Sequence, residues 1–282
     1  MSKPDFGAYG VFNDHRIWKT LPPESFREIE QLGFKALWAS GSPPADLAWL
    51  DPILDATDTL QVATGIVNIW TAPAERIADS YHRINSAYPD RFLLGIGVGH
   101  REMQTTYIKP YAAMTEYLDR LDEYGVPAHR RVVAALGPRL LELAARRSAG
   151  AIPYLTTPEH TAQSRQIMGS DAFLAPEHQA VLSTDSGRAR VLGRTTTDFY
   201  LQLANYVTNL KRLGFSDEDL ARPGSDALVD AVVAHGSGDT VATQLTAHLD
   251  AGADHVAVHV LTKDTDDLIP AVTQLARVIG LR

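Results

Sequence analysis

Eight short apolar runs, each followed by a stretch of helical spacing, constrain the fold of this chain more than any other feature of its sequence. They begin near residues 7, 35, 62, 92, 131, 151, 173 and 255. A run without polar alternation reads as a strand buried on both faces. Strand, helix, strand at this rhythm calls for parallel strands joined by crossovers. GAYGVF (7–12) leads through a loop to 24–32, where Phe26, Ile29 and Leu32 keep helical spacing and Gly33 stops the helix. KALWAS (35–40) is the second strand, and a turn at 41–44 precedes a helical pattern over 46–58. VATGIVNI (62–69) is the third strand, broken by Gly65. Pro73 suits the first turn of the helix over 74–88, because its missing N–H has no partner to lose there.

The fourth strand, RFLLGIGVGHRE (91–102), runs four apolar residues into Gly95, Gly97 and Gly99 before any charge appears. Later come helices over 111–124, 139–148, 158–168, 187–213, 240–251 and 267–279, and strands over 131–136, 151–156, 173–182 and 255–261. Residues 215–239 have mixed character and read as extra helices outside the repeat. Eight strands with intervening helices in fewer than 300 residues predict an α/β fold of the (β/α)8 TIM-barrel type, one domain over 1–282, with helical insertions before the last strand. An open doubly wound sheet is the alternative. At 282 residues and 45% hydrophobic composition the chain buries a large core.

A net charge of -8 and no basic run argue against nucleic acid or an anionic membrane as partner. The chain has no cysteine, so disulfide and thiol chemistry are excluded. The start lacks the apolar core of a signal peptide, and nowhere do eighteen apolar residues run together, so a soluble cytoplasmic protein is expected.

In a barrel the chemistry sits at the C-terminal strand ends. The candidates there are Asn13, Asp14 and His15; Ser40 and Gly41; Asn68 and Trp70; His100 and Glu102; Gly137; Thr156 and Thr157; Glu177 and His178; and His259. Many can hydrogen-bond a heterocycle and few are strong acids or bases, which suits a cofactor carrying its own reactivity. The glycines of the fourth strand leave one face bare for a flat ligand or for another backbone. His255 and His259 share a strand face and could supply two metal ligands, but no further ligand cluster joins them, so no metal is expected. The expected roles are strand entry for His255 and pore-lining hydrogen bonding for His259. Ala135-Leu136-Gly137-Pro138 passes from strand to helix, and a helix start favours an anion, with Arg139 adding charge; an ordinary turn is the bland alternative.

Three segments in order, ATGIVNIWTAPAERIA (63–78), RFLLGIGVGHRE (91–102) and AALGPRLLELAARRSAGAI (134–152), resemble the bacterial-luciferase-like oxidoreductases, most closely the branch that uses the deazaflavin coenzyme F420. The resemblance covers most of the first 160 residues and then thins, although FLAPEHQAVL also looks familial. It implies a (β/α)8 barrel, usually a homodimer, with a flavin or deazaflavin in its mouth. It further implies a cis peptide at Gly65-Ile66 whose bulge supports the ring, with Ser40, Asn68, Gly97 and Gly99 around it and His100 at its edge. Leu136 and Gly137 would meet the cofactor phosphate through their backbone amides, and Thr156 is a further expected cofactor contact. Ser40-Gly41 replaces the polar pair, including the usual catalytic histidine, of related dehydrogenases. The lysine that pairs with a sugar phosphate is replaced by the neighbourhood of Pro158, so glucose 6-phosphate is not the expected substrate. His100, Glu102 and His15 are the candidates for the proton. The expected function is F420-dependent hydride transfer to or from a small organic substrate; an FMN-dependent monooxygenase and a non-catalytic flavin-binding protein are the alternatives.

Overall fold

The computed structural model describes residues 3–99 and 109–281. Its first half runs β1 (Tyr9–Asp14), α1 (His15–Trp18), α2 (Pro23–Gln31), β2 (Ala36–Ser40), α3 (Asp51–Ala56), β3 (Gln61–Thr64), β4 (Val67–Asn68), α4 (Ala74–Ala87) and β5 (Phe92–Gly97). There follow α5 (Pro110–Glu123), β6 (Arg131–Val133), α6 (Pro138–Arg147), β7 (Gly150–Ala151), α7 (Pro158–Met168), β8 (Phe173–Leu174) and β9 (Glu177–Val181). Last come α8 (Ser186–Tyr200), α9 (Ala204–Arg212), α10 (Asp226–Val232), β10 (Val233–His235), α11 (Gly238–Asp250), β11 (Val256–Val260) and α12 (Leu268–Val278). Proline occupies the first position of α2, α5, α6 and α7, where its missing N–H costs nothing.

All pairings are parallel, in the order β11-β1-β2-β3-β5-β6-β7-β8. β8 and β9 are halves of one run that closes the ring. On one side Ala175 and Glu177 donate to the carbonyls of Ala151 and Pro153; on the other, Asp254 and Ala257 donate to Leu174 and Pro176. Pro176 has no N–H for the ladder, which is why the run reads as two strands. The barrel interior holds Phe6, Phe12, Trp38, Leu93, Val132 and Phe173. A larger apolar layer, including Val11, Leu37, Val62, Leu94, Val133 and Val258, joins the outer strand faces to the helices.

His255 belongs to the barrel floor. Its Nδ1 donates to the Gly7 carbonyl at 2.7 Å and its Nε2 accepts from Trp38 Nε1 at 2.9 Å. Gly10 has to be glycine, since a Cβ there would stand 2.7 Å from His255 Nε2. Burial pushes the His255 imidazole down to about 4.

The expected eight-strand ring is present, with differences at its ends. The third strand splits into β3 and β4 around Gly65 and Ile66. The helical region expected over 187–213 is two helices, α8 and α9, and the stretch of mixed character over 215–239, read as extra helices, also contains β10, which pairs with β9 through Val233 and Gln179. DALVDAVVAH keeps helical spacing up to the strand, so periodicity could not separate α10 from β10.

Candidate active site at the barrel mouth

The mouth is built by strand ends in register. Phe12, His259 and Gln179 stand side by side on three neighbouring strands, and Asp14 is level with Ser40. Between β3 and β4 the Gly65-Ile66 peptide is cis. Three glycines of the β5 segment make room for this element, each in its own way. A Cβ on Gly95 would overlap the Thr64 carbonyl, and Gly95 also exchanges two 2.8 Å hydrogen bonds with Thr64 Oγ1. A Cβ on Gly97 would lie 2.8 Å from Ile66 Cγ1 and 3.2 Å from Ala134 Cβ. Gly99 has φ +59° and faces the Asn68 side chain, whose Oδ1 accepts from Trp70 N at 3.0 Å. Gly95 therefore serves backbone packing, whereas Gly65, Ile66, Asn68, Gly97 and Gly99 are brought together at the rim.

Across the mouth, His15 is buried with Nδ1 2.9 Å from the Ser40 carbonyl and 3.5 Å from Asp14 Oδ1. Because the carbonyl accepts, Nδ1 carries a proton. Burial works against the Asp14 charge, but the hydrogen bonds from the Arg16 side chain and backbone outweigh it and hold the carboxyl below the usual range. His100 and Glu102 lie outside the described residues.

A second edge is made by two helix starts. Gly137 precedes α6 and Thr157 precedes α7, and neither helix has a side-chain cap. Thr156 Oγ1 and Thr157 Oγ1 are buried without a hydrogen-bond partner among the described residues. His160 Nε2 donates to the Leu136 carbonyl at 2.9 Å, tying α7 to this turn; burial lowers the His160 pKa, which keeps the ring neutral. A Cβ on Gly137 would find only Arg212 Nη1, 3.6 Å away. The positive charge at this edge thus includes Arg212 from the end of α9, while Arg139 lies 4.8 Å over the Tyr111 ring. No spacing signal links residue 212 to residue 137, so Arg212 could not be found from sequence.

Inside the mouth stands a polar group that the sequence indicated only in part. Glu177 and Gln179 alternate inward from β9, both fully buried. The Leu155 N–H donates to Glu177 Oε2 at 3.1 Å, and Oε1 lies 3.5 Å from His259 Nδ1. Burial raises the Glu177 pKa, and the nearby His259 together with the Leu155 N–H pull it partly back. The rings of Tyr154 and Tyr200 lie 4.9 Å apart and those of Tyr200 and Tyr206 4.7 Å apart, roofing this group. Burial pushes the Tyr200 phenol up to about 12. A carboxyl inside an otherwise apolar strand was the readable signal for Glu177; nothing local marked the tyrosines. His178 faces outward, where its Nδ1 meets His248 Nε2 at 2.9 Å, and His248 Nδ1 meets Thr161 Oγ1 at 2.8 Å. Among the described residues no three His, Asp or Glu side chains group to hold a metal ion.

The architecture is that of a parallel α/β barrel whose functional groups collect at the C-terminal mouth. The chain belongs to the luciferase-like monooxygenase family, which matches residues 23–172. No curated protein matches the sequence. Among solved structures it is similar to an F420-dependent secondary alcohol dehydrogenase in complex with an F420-acetone adduct (12% identity, 99% of each chain, TM-score 0.75). It is also similar to the coenzyme F420-dependent tetrahydromethanopterin reductase from Methanopyrus kandleri (13% identity, 97% of this chain and 98% of that one, TM-score 0.69). A third is the oxygenating constituent of 3,6-diketocamphane monooxygenase from Pseudomonas putida in complex with FMN (14% identity, 96% and 98%, TM-score 0.68). At these identities the likeness is one of fold. No helix among the described residues is long and apolar enough to cross a membrane.

Proposed function

We propose that the protein is a coenzyme F420-dependent oxidoreductase that transfers a hydride between the deazaflavin and a small organic substrate. The observation that carries this reading is the pair of buried hydroxyls on Thr156 and Thr157, without a hydrogen-bond partner among the described residues, at the start of α7, which His160 ties to the Leu136-Gly137 turn that Arg212 reaches. Burying a hydroxyl without a partner is unfavourable, so a ligand supplying acceptors is the natural complement. These residues suit the anionic end of a cofactor. Gly65, Ile66, Gly97 and Gly99, with Ser40 and Asn68, suit its planar end. Leu136 and Gly137 would contribute backbone amides beside Thr156. When bound, a deazaflavin moves electrons in pairs and does not activate oxygen readily, which is the chemistry of a dehydrogenase or reductase. His100 and Glu102 are the candidates carried over from the resemblance for handling a proton, with His15, hydrogen-bonded to the Ser40 carbonyl, a third. The working form is taken to be one barrel domain in a cytoplasmic homodimer, which light scattering of the purified protein tests for its oligomeric part.

An FMN-dependent monooxygenase is the second reading, supported by the family and by the FMN-bound Pseudomonas putida relative. Fluorescence titration of the purified protein with F420 and FMN side by side separates the two. Tight F420 binding with hydride exchange supports the first. FMN binding with oxygen uptake in the presence of a flavin reductase replaces it with the second, and tight binding without any exchange marks a non-catalytic binder.

A further inference from the structure

A carboxyl group inside a barrel calls for a reason. Glu177 has no exposed surface, yet among the described residues its Oε1 has no hydrogen-bond partner and faces His259 Nδ1 at 3.5 Å, which likewise has none. An apolar residue would pack there at lower cost. Gln179, next to His259 in register, is equally buried, and neither of its amide atoms has a partner among the described residues. His259 alone of the three reaches water, with 18% of its side chain open. It lines a cleft of about 190 Å³ with Asn13, Thr195, Thr262, Lys263 and Asp264, between the end of β1, helix α8 and the loop after β11.

We propose, on the oxidoreductase reading above, that His259 takes or gives the substrate proton, that Glu177 is its positioning residue, and that the substrate is a small neutral alcohol or carbonyl compound admitted through this cleft. The geometry is that of a carboxylate facing one imidazole nitrogen, which fixes a proton on Nδ1 and leaves the Nε2 lone pair for chemistry. The groups facing the pair are the phenols of Tyr154, Tyr200 and Tyr206, with Asp14 beyond Tyr200 and Lys263 and Asp264 on the cleft wall. The two charges on that wall are of opposite sign, which suits a neutral substrate. A cleft of this size suits a small substrate. In the oxidative direction the alcohol O–H breaks and its proton goes to His259 Nε2. An oxidised deazaflavin or flavin, when bound, would take the C–H hydrogen with its electron pair as the C=O bond forms. Reduction reverses each transfer.

The test begins with histidine-resolved NMR of the ring nitrogens of the whole cofactor-free protein, wild type against Glu177→Gln and Glu177→Asp. The wild-type His259 ring should hold its proton on Nδ1, lose that tautomer preference in Glu177→Gln and regain it in part in Glu177→Asp. An unchanged His259 tautomer in Glu177→Gln overturns the pairing. Protein loaded with F420, or with FMN if that is what binds, is then assayed with cyclohexanol and cyclohexanone. His259→Gln should keep the cofactor Kd and lose about 10²- to 10⁴-fold in kcat, and Glu177→Gln should lose part of that with Glu177→Asp recovering some of it. Unchanged kcat in His259→Gln overturns the catalytic role, and a loaded wild-type protein inert toward both probes overturns the substrate class. Failure of the wild type to bind either cofactor removes the oxidoreductase reading and this proposal with it. Cofactor binding with an uncoupled pair removes the proposal alone.

Discussion

Replacing Gly97 by alanine should loosen the barrel and close part of its mouth at the same time. The new Cβ would stand 2.8 Å from Ile66 Cγ1, 3.0 Å from Ile66 Cδ1 and 3.2 Å from Ala134 Cβ. The Ile66 atoms belong to a flexible side chain that can rotate, whereas Ala134 has to give by a few tenths of an ångström. Overpacking costs 1–3 kcal/mol in general, and one yielding contact places this site in the lower part, at about 1–2 kcal/mol. For a chain of this size the melting temperature then falls by about 2–8 °C. Rotating Ile66 away from β5 moves it toward the space assigned to the cofactor ring, and a tenfold loss of F420 affinity, about 1.4 kcal/mol, is expected. Thermal melts and fluorescence titration read the two effects separately. The double variant Gly97→Ala/Ile66→Ala removes the clashing atoms and should melt higher than the sum of the singles predicts, by at least about 0.5 kcal/mol of coupling. Strict additivity, or a Gly97→Ala protein with unchanged Tm and Kd, would refute the reasoning.

Gly95→Ala meets backbone instead of a rotatable side chain and should cost more than about 4 kcal/mol, yielding little folded protein; a normal melt would contradict the packing described. Thr156→Val and Thr157→Val each remove a buried hydroxyl that has no partner, so stability should hold or rise by up to about 1 kcal/mol while cofactor affinity drops about tenfold. Equal affinity in both variants would rule out the anion cradle. His178 and His255 are pushed by burial to about 4 in the folded state, against about 6.5 unfolded. Below pH 6.5 the unfolded chain therefore binds the extra protons. The stability these neutral rings provide is complete above that pH and is lost as pH falls toward 4, by about 3 kcal/mol for each ring. Urea unfolding between pH 7.5 and 4.5 should follow this slope, and His255→Gln should flatten it; a flat wild-type profile would show the rings are not buried neutral.

What the amino-acid order determined by itself is the ring. Strands buried on both faces must be apolar throughout, and Pro23, Pro110, Pro138 and Pro158 mark helix starts by local sterics alone, so both signals lie within a few neighbouring residues. The glycines at 65, 97 and 99 were also legible as places where something approaches the backbone closely, and in the fold Phe12, Ile66 and Asn68 do so. Only the tertiary structure decided that Gly95 lies under the Thr64 carbonyl, that Arg212 reaches the Gly137 turn, and that Glu177 faces His259 under a roof of Tyr154, Tyr200 and Tyr206. Those meetings depend on strand register and ring closure between segments far apart in the chain, and a one-residue slip would turn each of those strand side chains to the opposite face.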